Sequence, residues 1–121
     1  MRDPANLLFA LTVASLATHE LDAILHHEWR LPLFFFLKPF SDETAYRIFT
    51  LLHIPLLTFI IAHAQVLNVQ RGFDVFTIVH VGLHIGFRNH PQYEFNNWFS
   101  NVLIVGAGVC GALHLLVLQM G

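Results

Sequence analysis

His80 and His84 stand four residues apart, the spacing that puts two side chains on one helical face and lets two imidazoles share a metal ion. His19 and His26 are seven apart, and Glu20 and His27 repeat that interval one position round, so a continuous helix would stack each pair nearly in line. Imidazole suits zinc, iron and copper, and a carboxylate can bridge two ions or act as a general base. The candidate metal ligands are therefore His19, Glu20, His26, His27, His53, His80 and His84, and the candidate catalytic carboxylates are Glu20 and Glu28. A site of this kind would take zinc or iron, as one ion or two. Imidazole ligands also need acceptors for their outer N–H groups, and Asp22, Glu28, Asn97 and Asn101 are at hand. His63 and His114, or His53 with His84, form the alternative set: facing histidines on two helices can supply both axial ligands of a b-type haem.

The elements that position these residues are apolar and long. A helix needs about 20 residues to cross a hydrocarbon core, and spans are expected at about 6–25, 44–67, 73–87 and 95–120, the third of them short. Residues 31–40, with Pro32 and Pro39, read as an interfacial or re-entrant connector. Ser41-Asp42-Glu43 offers capping chemistry for the second span, Pro55 interrupts that span's hydrogen bonding, and residues 68–72 read as a tight polar turn. Trp29 suits an interfacial anchor. Gly106, Gly108 and Gly111, with Ala107 and Ala112, supply the small residues that let helices approach in lipid. Arg2 ahead of residues 7–16 could pass for a secretory signal, but Met1 is retained, which favours an uncleaved first span.

Composition agrees with a single all-α membrane domain over residues 1–121, a four-helix bundle. The chain is 55% hydrophobic and 12% charged, with mean hydropathy +0.59, whereas a soluble domain carries about a quarter of its residues as charges. Much of its surface must therefore face the lipid bilayer. One cysteine, Cys110, allows neither a disulfide framework nor a thiolate cage. A net charge of −2 with no basic stripe excludes nucleic acid.

In an up-down bundle the end of span one, the start of span two, the end of span three and the start of span four share one membrane face, and the polar clusters fall at those four places. Arg30, Lys38, Arg47 and Arg88 on that side, against Arg2 and Arg71 on the other, point it to the cytoplasm. A single membrane histidine such as His53 ordinarily joins helices, and His26, His27 and His90 are as well explained as wet interfacial residues. His19, Glu20, His80 and His84 form the leading set, because ionisable groups are expensive to keep inside a membrane.

Two stretches, His19-Glu20-Leu21-Asp22-Ala23 leading to Glu28-Trp29-Arg30, and Arg88-Asn89-His90-Pro91-Gln92-Tyr93-Glu94-Phe95-Asn96-Asn97, resemble small bacterial membrane proteins of an uncharacterised family over nearly the whole chain. More loosely the chain is similar to the HXXEE-motif membrane family, although no His-x-x-Glu-Glu stands here. His80-x-x-x-His84 and His26-His27 look like fragments of the histidine boxes of membrane desaturases and hydroxylases, whose complete set is absent. The resemblance implies a bacterial inner-membrane protein. The leading expectation is a metal-dependent enzyme, hydrolase or oxidoreductase, acting on a lipid or other apolar substrate. The alternatives are a haem-binding electron-transfer subunit, or a non-catalytic or proton-relay subunit of a larger complex or homo-oligomer.

Overall fold

Asp3 starts the first helix: its Oδ1 accepts the Ala5 N–H at 3.0 Å, with proline in the first turn. Residues 3–120 are described by this computed structural model; Arg2, counted above among the topology charges, lies outside them. Helix α1 runs Pro4–Leu25, α2 Asp42–Ala62, α3 Leu67–Phe87 and α4 Trp98–Met120, with 3₁₀ turns at Glu28–Arg30 and Pro32–Leu37 between α1 and α2. No strand occurs among the described residues. The fold is all-α, and α1, α2 and α4 are long and apolar enough to cross a membrane.

Helix α3 has the length of a span, about 31 Å for its 21 residues, but turns its polar side inward. Gln70, Asp74, Thr77, His80 and His84 are buried, while Val75, Phe76, Val79 and Ile85 are exposed. Apolar residues outside and polar residues within is the distribution that a lipid solvent selects. Helix α4 packs along both α1 and α3, whereas α2 meets the other elements mainly through the connector. A side chain at Gly108 would collide with Val81, and one at Gly111 with Thr77 and Asp74. The α3–α4 approach therefore depends on these two glycines. Gly106 faces open space and takes no part.

Three local expectations need correction. Helix α1 stops at Leu25, and His27 adopts a left-handed backbone, φ 54°, ψ 47°, a conformation histidine visits more readily than most side chains. The seven-residue stacking of His19 with His26 and of Glu20 with His27 therefore does not arise, because the second member of each pair is past the helix end. Residues 68–72 are helical. The reversal falls at 63–66, and Gln70 reaches back from α3 to donate to the Ala64 carbonyl at 2.8 Å. Trp29 is buried and donates its indole N–H to Asp42 at 2.9 Å, so it fastens the connector to α2 from inside. The expected cap on α2 does form, Ser41 Oγ accepting the Thr44 N–H at 3.2 Å.

Candidate metal centre

The left-handed turn at His27 folds the chain back so that Glu28 returns over the last turns of α1. There Glu28 Oε2 lies 3.0 Å from His19 Nε2 and 3.5 Å from His84 Nε2. His84 Nε2 is in turn 3.2 Å from His80 Nε2, across one turn of α3. One donor atom from each of His19, Glu28, His80 and His84 lies within 4.8 Å of all the others. Four ligand atoms held at 2.0–2.1 Å around a tetrahedral ion would be about 3.3 Å apart, so the closest pairs already stand near the edge lengths of such a polyhedron. His19 is fully buried, and Glu28, His80 and His84 are each 6% exposed.

Aromatic rings roof this cluster. Phe95, fully buried, lies 4.8 Å from the His84 ring and 5.6 Å from that of His19. The Tyr93 hydroxyl is 2.9 Å from His84 Nδ1. With an ion bound, Nδ1–H would donate to that oxygen and leave the Nε2 lone pair to the cluster, the tautomer a ligand requires. Tyr93 stays a neutral phenol, pushed up to about 12 by burial and by the Glu28 charge. Burial also pushes the Glu28 carboxyl up, but hydrogen bonds from His19 and His84 and the charge of nearby imidazoles outweigh it, holding Glu28 at about 2, an anion. The Nδ1 atoms of His19 and His80 are buried without a hydrogen-bond partner. The Nε2 atoms of His19, His80 and His84 are the ones that converge with Glu28.

The other sequence candidates lie elsewhere. Glu20 is bonded to His53 at 2.6 Å, a tie between α1 and α2, and His53 Nδ1 donates to the Phe49 carbonyl at 2.8 Å. His26 Nδ1 donates to the Asp22 carbonyl at 2.9 Å, and His27 pairs with Glu94 at 2.9 Å on the polar rim. The expected outer acceptors are engaged elsewhere: Asp22 accepts from Ser100, Asn97 caps α4 through the Ser100 N–H at 2.8 Å, and Asn101 donates to backbone carbonyls. Glu28 sits in the cluster itself. The histidines of the haem alternative have other partners. His63 is exposed and donates to Phe59 of its own helix at 2.9 Å, while His114 is fully buried against Asp74. His53 and His84 are committed to Glu20 and to the cluster respectively. Sequence reasoning names Glu28 as a catalytic carboxylate or outer acceptor but not as a ligand, because the turn that delivers it is not periodic, and it misses Tyr93, which no spacing ties to His84.

The residues fit a borderline divalent ion. The donors are imidazole nitrogens and one carboxylate, with no thiolate, a set that suits zinc or iron. Glu28 and His80 also line a chamber of about 330 Å³ between α1, α2, α3 and the connector, so the cluster is open to a small molecule on one side.

A family model described as a family of unknown function (DUF6713) matches residues 5–120. No curated protein and no solved structure matches the chain.

Proposed function

The chain belongs to the DUF6713 family, and since that family carries no assigned activity, we propose from geometry that it is a membrane-embedded metal enzyme acting on a lipid or other apolar substrate. The convergence of His19, Glu28, His80 and His84 within 4.8 Å carries this reading. These four residues would hold a zinc or iron ion. Such an ion supplies Lewis acidity, polarising a carbonyl or activating a water. Tyr93 orients His84, Phe95 shields the cluster from the polar rim, and Glu28 and His80 present the chamber side where a reacting group would approach. The pair Glu20–His53, on the wall of the same chamber, holds a polar group ready beside it. As part of the same proposal, the protein resides in the bacterial inner membrane with the cluster end cytoplasmic, alone or as a homo-oligomer or subunit of a membrane complex.

The test is the metal content of protein purified in detergent without added metal, measured by mass spectrometry beside the visible spectrum. One zinc or iron per chain is expected, with no Soret band. His80→Ala should lose it. Full metal content in that variant would remove the proposed ligand set, and a Soret band would replace it with haem.

A further inference from the structure

Because α2 stands off the body formed by α1, α3 and α4, a cleft runs between them. Its inner part is a chamber of about 430 Å³ lined by Leu16, Leu57, Ile60, Gly72 and Phe73, among others. Its outer part is the 330 Å³ chamber that ends on Glu28 and His80. The two share Glu20, His53, Leu56 and Phe76, so they are consecutive parts of one passage. From Phe49 to Ile60 along α2 the passage extends about 16 Å. Its walls are apolar apart from Asn68 near the far end, the Glu20–His53 pair at the neck, and Glu28 and His80 where the outer chamber ends. At Gly72 a side chain would meet nothing within 4 Å, so the α3 backbone leaves space there that no other residue fills.

We infer that this cleft binds the hydrocarbon chain of a single-chain lipid, with a hydrogen-bond-donating head, such as a hydroxyl, at Glu20 beside the His/Glu cluster. The inference rests on the proposed metal site only for what happens to that head; the groove itself stands on its walls. Size selects the occupant: chambers of this volume hold one small molecule. The polar pair selects the head. Both ring nitrogens of His53 are taken, by the Phe49 carbonyl and by Glu20 Oε2, so an anionic head finds no free donor. Glu20, whose hydrogen bond among the described residues is the one to His53, can accept one more from a hydroxyl. The head would then lie at the junction of the two chambers, and the chain would run away from the cluster toward Gly72.

The experiment uses the full chain in lipid nanodiscs and hexadecanol carrying a photoactivatable diazirine at its chain end, with labelled peptides mapped by mass spectrometry. Labels are expected on the inner-chamber residues Leu16, Ile60 and Phe73. Unlabelled hexadecanol should compete better than hexadecane, and Glu20→Leu should erase that preference. Gly72→Phe, placed on the chamber wall where an added Cβ meets nothing within 4 Å, should cut labelling about tenfold or more, the scale of one blocked apolar contact, while metal content is unchanged. Labelling confined to the outer faces of α2 and α4, or insensitive to Gly72→Phe, overturns the groove, as does a groove closed by a second copy, recognised as a dimer that takes no label. Metal-loaded protein that does not label the chamber defeats this inference alone. Metal-free protein that labels it upholds the groove and defeats only the metal reading.

Discussion

Among the described residues, buried histidine–carboxylate contacts lie toward both ends of the bundle, and the two ends differ in what else converges on them. Toward one end, Asp74 of α3 and His114 of α4 are both fully buried and bonded to each other, with Phe9 packed on the imidazole at 5.3 Å. This is a closed pair joining two helices, next to the glycine contact at Gly111. Toward the other end, the His19–Glu28 contact is joined by His80 and His84 and borders a chamber. Burial and charge are common to both. Convergence of several donor atoms and access from a cavity are what separate a candidate site from a structural tie, because a tie needs only two partners and gains nothing from an opening.

The sharpest break between the two is metal content. His19→Ala should abolish metal retention, whereas His114→Ala should leave it whole; equal losses in metal analysis of the two would erase the distinction. On stability the order reverses. Asp74→Ala strands a buried imidazole and should cost about 3–5 kcal/mol, read as a lowered midpoint in detergent denaturation with metal still bound. Tyr93→Phe removes the oxygen that faces His84 and should weaken metal affinity about 10–100-fold by competition with a chelator, and an unchanged affinity would exclude it from the site. Gly111→Val should separate α3 from α4 at a cost of about 1–3 kcal/mol, while Gly106→Val, facing open space, should be close to neutral in the same denaturation assay.

The smallest effect concerns acid. The Glu28 carboxyl is held below its ordinary 4.5, at about 2. A depressed carboxyl stabilises the fold above its unfolded value and loses that contribution as pH falls through the folded one. Metal-stripped wild type should therefore lose stability between pH 4.5 and about 2 more steeply than Glu28→Gln; parallel melting curves would show that Glu28 is not held by its imidazole neighbours.

Much of the fold was legible in the sequence because lipid permits few solutions: long apolar runs must be helices, and expected spans at about 6–25 and 95–120 lie within a few residues of Pro4–Leu25 and Trp98–Met120. The polar turn expected at 68–72 failed because polar residues at a helix start were mistaken for a loop, when Gln70 serves the preceding turn. Within the site, His80 and His84 were readable from their spacing, which lies on one helix, and His19 from its cost inside a membrane. Sequence points to Glu20 as the ligand carboxylate and to Glu28 as a catalytic or outer one, and Glu28 is the carboxylate grouped with the three histidines. That exchange turns on a single left-handed residue, His27, and no periodicity announces where a helix will stop and double back.

Helix α4 lies against α1 along much of its length, so the first and last of the four helices form a principal seam of the molecule. During synthesis α1 and α3 leave the ribosome before their common partner α4 exists. The buried face of α1, with Thr12 and His19 on it, must wait in the bilayer or its insertion machinery until α4 arrives, and such long-range closure is slow. The nascent chain is therefore exposed to quality-control proteases and to mispairing with other membrane helices until α4 has been made.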